Sequence, residues 1–162
     1  MKKFIIMILL LFSFLVLVSC KEKNEYLELT ELNENQVFTQ KEEEYYIYFH
    51  KDNCSGCASI ITDVQHYNYL ANKDSSLRKI YAVNLQKEGE MKAFIYRTYT
   101  GLSGQGEEGN FKVNTITEWN ELYIAATPTL IVVKVNKDNV KTSHYIAHGA
   151  SSIKEYLGGL YE

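Results

Sequence analysis

The residues with the clearest chemical potential are two cysteines three positions apart, Cys54 and Cys57, in the stretch HKDNCSGCASI. Such a pair can hold a metal ion, form a structural disulfide, or open and close a disulfide with other thiols. A structural zinc site needs four ligands, and the chain has four histidines, of which His50 is near enough in sequence to join the cysteines. A copper-handling site of Cys54, Cys57 and His50 is therefore one alternative. A purely structural bridge would enclose only two residues, so it would constrain the unfolded chain little.

The apolar residues after the pair recur at helical spacing, which predicts a helix that begins near Ser55. Cys54 would then lie at the helix N-terminus, where unpaired N–H groups and the helix dipole favour a thiolate. This placement makes Cys54 the expected attacking sulfur. The apolar stripe places the other thiol on the sheltered face, so Cys57 is the expected resolving sulfur. The stripe consists of Cys57, Ile60, Ile61, Val64, Tyr67 and Ala71.

Strand and helix signals alternate along the rest of the chain. Apolar or β-branched runs predict strands at 45–50, 79–85 and 127–135, and a tight turn at 136–139 leads to a fourth strand that ends at 148. The order predicts an α/β fold with a central mixed β-sheet, one parallel crossover, one antiparallel hairpin and helices on both faces. Most of the 13 tyrosines fall on these strands and stripes, which indicates core packing. His144 and His148 are predicted on one face of the last strand.

A long stretch, 86–126, separates the second predicted strand from the third. A helical stripe at 91–99 precedes a glycine-rich loop at 101–110, and we expect this loop to shape the choice of partner. Thr115 and Glu118 have the spacing of a capping box for a further helix. Ser152 and Glu155 similarly predict the start of a last helix.

The chain begins with two lysines and an apolar run from Phe4 to Val18, which has the outline of a secretory signal. The run is shorter than the roughly 18–20 residues that usually span a bilayer as a helix. The sequence LVSC, which ends at Cys20, resembles the lipobox of bacterial lipoproteins, and this resemblance implies lipid attachment at Cys20. The alternative is an uncleaved signal anchor, and both interpretations place the rest of the chain outside the cytoplasmic membrane.

The predicted organisation is a lipoprotein signal peptide at 1–19, a polar tether at 20–36 and one folded domain at 37–162. The full chain has a formal net charge of −3, and loss of Lys2 and Lys3 makes the remainder more acidic. This charge argues against nucleic-acid binding. No phosphate-binding glycine loop and no Ser/His/Asp arrangement is evident in the sequence, and we expect neither a metal nor an organic cofactor.

The chain resembles the thioredoxin-like thiol:disulfide oxidoreductases, and among them the membrane-anchored extracytoplasmic proteins of bacteria. The resemblance covers about 45–160 and depends on the strand before CSGC, the strand KIYAVNL, the TPT before a buried strand, and HGASSIKEYL. It implies a thioredoxin-like fold, with a cis Pro128 against the active-site disulfide and with Thr127 offering backbone pairing to an extended substrate. Pro128 is the single proline of the chain and stands at a strand entrance, where a cis bond is plausible. Two positions depart from the family: Asn53 stands where many members have tryptophan, and Tyr48 where thioredoxin has a buried acid. The stretch from Gln86 to Ala126 is also longer than thioredoxin needs between those strands, so the resemblance implies an insertion there, near the active-site end of the sheet.

The sequence therefore predicts a monomeric, lipid-anchored enzyme that exchanges disulfides with cysteines of other proteins outside the cytoplasm. A redox partner at the membrane would reset it. Besides copper handling, the alternative from another class is a non-catalytic binding or accessory lipoprotein that keeps the fold with its cysteines merely bridged. A reduction potential separates the two, since structural bridges tend to lie below about −300 mV.

Overall fold

The computed structural model describes residues 28–86 and 111–161 of the chain. Its strands and α-helices lie close to the predicted ones, apart from the exceptions given below. The elements are β1 (Glu44–His50), α1 (Ser55–Lys73), β2 (Ile80–Asn84), β3 (Thr129–Val135), β4 (Lys141–His148) and α2 (Ala150–Gly158), with short 3₁₀ turns at Glu34–Gln36 and Trp119–Glu121.

The four strands form one mixed sheet in the order β2-β1-β3-β4. β1 is parallel to β2 and antiparallel to β3, and β3 forms an antiparallel hairpin with β4. The predicted mixed sheet is thus confirmed. Each edge strand of the sheet pairs with a further segment of the same chain. Leu32 donates its N–H to the carbonyl of Ala82 in β2, and Ser143 in β4 pairs with Ile116.

One face of the sheet is covered by both described α-helices. The hydrophobic stripe of α1 and the two buried residues of α2, Ile153 and Leu157, pack on alternate residues of the strands. Tyr46 and Tyr48 of β1 are fully buried here, as the core interpretation of the tyrosines predicts. This face therefore carries the helix that begins at the cysteine pair.

The other face is covered, within the described ranges, by two largely irregular segments rather than by an α-helix. Residues 31–38 and 111–126 bring Leu32, Val37, Phe111 and Leu122 onto the sheet, among others. Apolar side chains from these extended segments fill the space on this face, and the helical stripe predicted at 91–99 lies outside the described residues.

The helix predicted from the capping-box spacing of Thr115 and Glu118 is wrong. Thr115 has a positive φ of 62°, and its N–H donates to the carbonyl of Ser143. Only the 3₁₀ turn at Trp119–Glu121 follows, and Glu118 makes no side-chain cap hydrogen bond. Ile116 is buried because the segment lies as an extended bridge on the edge of β4, not because it belongs to a helical stripe.

The last helix begins earlier than predicted. It starts at Ala150, with Gly149 at the N-cap and no capping side chain, so Ser152 and Glu155 do not cap it. Gly149 has φ 80°, a conformation that costs glycine little and turns the chain directly from β4 into α2.

Several predictions fall on residues outside those that the structure describes. These are the signal peptide and Cys20, the helical stripe at 91–99 and the glycine-rich loop at 101–110. The boundary between tether and domain at residue 36 stays a prediction. Within the described ranges, no helix has both the length and the apolar character to span a membrane.

Candidate active site

The turn between β1 and α1 positions the cysteine pair. β1 ends at His50, and Asn53 turns the chain with φ 55° immediately before Cys54. Cys54 is the N-cap residue of α1 in extended conformation, and its Sγ accepts the backbone N–H of Cys57 at 3.1 Å. The predicted position of Cys54 at the helix N-terminus is confirmed.

Cys54 and Cys57 are joined by a disulfide, with their Cα atoms 5.2 Å apart. The two sulfurs differ in their surroundings. Cys57 belongs to the buried stripe of α1 and is only 6 % exposed, whereas Cys54 is half-buried at the helix tip. A partner therefore reaches Cys54 more readily than Cys57.

The loop before β3 lies against Cys54. The Thr127–Pro128 peptide bond is cis, as the sequence suggested. The carbonyl oxygen of Thr127 lies 3.5 Å from Cys54 Sγ, and its Oγ1 lies 3.6 Å from the same sulfur. The loop is held in place because the Pro128 carbonyl accepts the N–H of Gly149, and Thr129 Oγ1 donates to the Ala126 carbonyl.

Gly56 allows α1 to approach this loop closely. A Cβ atom at Gly56 would lie 3.1 Å from Cδ of Pro128, which is tighter than an ordinary van der Waals contact. The small residue between the cysteines is thus what lets the proline ring sit beside the pair. Its contact with Pro128 and the conformation of Asn53 were not predicted from the sequence. An asparagine next to the first cysteine was the available signal for the latter, since asparagine tolerates positive φ.

A cavity of about 560 Å³ opens beside the disulfide. It is lined by the end of β1, by the turn and by the first two turns of α1, including Tyr48, His50, Cys57 and Ile61. The cavity therefore brings together two residues that the sequence analysis singled out. These are Tyr48, which stands where thioredoxin has a buried acid, and His50, the candidate copper ligand.

Tyr48 and His50 are neighbours on the same face of β1. Their rings stack with centroids 5.7 Å apart and planes 10° from parallel. Burial raises the pKa of Tyr48 to about 12, so its hydroxyl keeps its proton at neutral pH. Burial also lowers the pKa of His50, against the opposing charge of Asp52, which favours a neutral imidazole. Glu31 Oε1 lies 3.7 Å from His50 Nε2.

The copper alternative gains no geometric support. Across 28–86 and 111–161, no group of three or more His, Cys, Asp or Glu side chains is arranged to hold a metal ion. His50 lines the cavity with both cysteines, but its ring is stacked on Tyr48 and its Nε2 faces Glu31.

The sequence matches no protein-family model and no curated protein. The matches among solved structures include the following two. The crystal structure of ERdj5 form II matches with 9% identity and a TM-score of 0.49, over 82% of this chain and 14% of that one. Thioredoxin f2 of Chlamydomonas reinhardtii matches with 15% identity and a TM-score of 0.43, over 83% of this chain and 97% of that one. The chain thus spans about one seventh of the length of ERdj5.

The fold assignment depends on the chain's own topology. The parallel β1-α1-β2 unit, the β3-β4 hairpin with its closing helix, the cysteine pair at the tip of α1 and the cis proline beside it together define a thioredoxin-like α/β fold. A disulfide whose more accessible sulfur lies at a helix N-terminus is chemically able to undergo thiol–disulfide exchange.

Proposed function

We propose that this chain is a thiol:disulfide oxidoreductase that acts on cysteines of other proteins. The observation that carries the proposal is the Cys54–Cys57 disulfide at the N-terminus of α1, with the Thr127 carbonyl 3.5 Å from the more accessible sulfur. A disulfide with a purely structural role does not require an accessible sulfur at a helix N-terminus.

The helix terminus supplies the reactivity of Cys54. In the reduced protein, the N–H of Cys57 and the helix dipole stabilise a Cys54 thiolate, because both place positive charge at the sulfur. This thiolate attacks a disulfide of a partner, forms a mixed disulfide and releases one partner sulfur as a thiolate that takes a proton. Cys57, after losing its own proton, attacks Cys54 Sγ, restores the internal disulfide and releases the second partner sulfur.

The same pair supports the reverse reaction. A partner thiolate attacks Cys54 Sγ of the oxidised form, the internal disulfide breaks, and its electron pair leaves on Cys57. A second partner thiolate then displaces Cys54, which leaves the partner oxidised and this chain reduced.

Thr127 and Pro128 are the proposed contact for the partner chain. Thr127 is half-buried, directly beside Cys54, and it enters β3 without itself belonging to the strand. Its backbone is placed to pair with an extended segment that carries the partner cysteine. The cavity beside the disulfide, which Tyr48 lines, offers apolar surface to side chains near the partner's cysteine.

The site of action is proposed to lie outside the cytoplasm at the membrane surface. The support is the apolar run 4–18 and the LVSC sequence, which together indicate export and lipid attachment at Cys20. A redox partner in or at the same membrane would then reset the cysteine pair.

The test is trapping with Cys57→Ser. This variant lacks the resolving sulfur, so we expect its mixed disulfides with partner proteins to persist on non-reducing gels. The matched control is Cys54→Ser, which leaves only the buried sulfur and should trap little. The absence of trapped partners in Cys57→Ser, together with no reduction of insulin disulfides by the unaltered protein, would contradict an enzymatic role and favour the non-catalytic alternative.

A further inference from the structure

Tyr48 carries a buried hydroxyl that has no hydrogen-bond partner within the described part of the chain. The side chain is fully buried. Other buried tyrosines are paired: Tyr45 donates to the Val37 carbonyl, and Tyr67 donates to the Arg78 carbonyl. An unpaired buried hydroxyl destabilises a fold. We therefore looked for a group that could accept its hydrogen bond in another state of the protein.

The position of Tyr48 indicates which partner that is. Tyr48 lies on the face of β1 that packs against α1, in the same core cluster as Ile60 and Val64 of that helix. It lines the cavity that Cys57 also lines, and the stacked ring of His50 closes one side.

We propose that the Tyr48 hydroxyl donates a hydrogen bond directly to the Cys57 sulfur once the disulfide opens. This inference rests on the redox pair of the proposed function and assigns Tyr48 a role in its equilibrium. A bonded disulfide sulfur is a weak acceptor, whereas a thiolate sulfur is a strong one, so the hydroxyl gains its partner only in the reduced or mixed-disulfide form.

The charge environment of the cavity fits a donor that keeps its proton. The phenol remains protonated far above neutral pH. The other titratable or charged groups around it are His50 and Lys51 on the cavity wall, with Asp52 and Glu31 near His50. Burial lowers the pKa of His50, which favours the neutral imidazole, and the Tyr48 phenol keeps its proton throughout the neutral range of pH.

The step itself needs only a thiol reductant. Two glutathione thiols reduce the Cys54–Cys57 bond: the S–S bond breaks, one glutathione disulfide forms, and the two protons of the glutathione thiols go to the protein sulfurs or to solvent. Tyr48 transfers no proton in this reaction. It lowers the free energy of the product by hydrogen bonding to Cys57.

The experiment compares Tyr48→Phe with Tyr67→Phe in the glutathione equilibrium of the purified protein. Loss of the hydrogen bond to the freed Cys57 sulfur should shift the equilibrium of Tyr48→Phe toward the disulfide by about tenfold, which is about 30 mV in reduction potential. Tyr67 belongs to the same core cluster but donates to a backbone carbonyl, so Tyr67→Phe should leave the equilibrium unchanged. Unfolding of the oxidised proteins should show the opposite order, with Tyr67→Phe destabilised and Tyr48→Phe as stable as the unaltered chain.

Two results would overturn the inference. One is a shift of less than threefold in the equilibrium of Tyr48→Phe. The other is a loss of stability in oxidised Tyr48→Phe as large as that in Tyr67→Phe, because the hydroxyl would then already have a partner. Neither measurement uses a protein substrate, so failure here leaves the trapping result untouched, and failure of trapping leaves the equilibrium measurable.

Discussion

The Asn53 backbone is the residue-scale feature that sets the direction in which Cys54 faces. Its φ of 55° lies in the left-handed region, where side chains other than glycine, asparagine and aspartate are strained. Asn53 is exposed, so packing does not compensate for that conformation. The geometry of the redox pair therefore depends on a local backbone preference rather than on a core contact.

We expect Asn53→Ala to lower the free energy of unfolding of the oxidised protein by about 1 kcal/mol, because alanine has a Cβ and no compensating side-chain polarity in this conformation. Asn53→Gly is the matched control and should be close to neutral, since glycine adopts positive φ freely. Chemical denaturation measures both. Equal stability of Asn53→Ala and the unaltered protein would show that the turn is not held in the left-handed region in solution.

At the scale of elements, the end of the sheet away from the cysteines is held by a polar cluster around Glu42. Its carboxylate accepts hydrogen bonds from Lys79 Nζ and from the Tyr81 hydroxyl, each at 2.9 Å. Burial alone would raise the pKa of Glu42, but these hydrogen bonds and the charge of Lys79 outweigh it and hold the pKa below the ordinary value. The cluster ties the segment before β1 to the start of β2.

This lowered pKa predicts a pH-dependent contribution to stability. A carboxyl whose pKa is lower in the folded state stabilises the fold fully above its unfolded pKa and loses that contribution as pH falls through the folded value. We expect Glu42→Gln to reduce the free energy of unfolding by about 1 kcal/mol at pH 7, with the difference shrinking below about pH 4. Denaturation curves from pH 7 to pH 3 test this.

The neighbouring Glu43→Gln is the control for the change in net charge. It should leave the pH profile nearly unchanged. If the two variants lost stability equally at pH 7 and kept the same difference at pH 3, the Glu42 cluster would not be the source of the effect.

Elements were predicted well where a single periodicity governs them. β1 was placed within one residue and α1 begins at the predicted Ser55, because an unbroken apolar run and a helical stripe each have one physical explanation. The pairing of His144 and His148 on one face is wrong, because a β-bulge between Leu130 and Ile131 shifts the register of β4. His144 lies opposite Val132 on the helix-covered face, whereas His148 contacts Phe111 on the other face. A bulge of one residue leaves no mark in an alternating sequence.

At the scale of the whole molecule, the residues of the site were likewise predicted where one local signal identifies them. The cysteine pair and the proline beside it could be found from the sequence because their residue types are rare and their chemistry is specific. That the Tyr48 hydroxyl has no hydrogen-bond partner among the described residues could not be found in this way, because it depends on all the residues that pack around β1. Burial by residues that are distant in the sequence therefore could not be predicted and is known only from the structure.

The last prediction concerns how the whole molecule is held at the membrane. If Cys20 receives lipid, the predicted tether keeps the domain near the membrane surface, since residues 20–36 can span at most about 60 Å when fully extended. In a bacterial host that processes lipoproteins, we expect the unaltered chain to require detergent for extraction and to incorporate labelled fatty acid. Cys20→Ser should lose the label and move to the soluble extracytoplasmic fraction. The purified variant should keep its activity on insulin disulfides, because Cys20 is separate from the Cys54–Cys57 pair.

Retention of unlabelled Cys20→Ser in the membrane would instead identify the apolar run 4–18 as an uncleaved anchor. Recovery of the unaltered chain from the cytoplasm would contradict both interpretations.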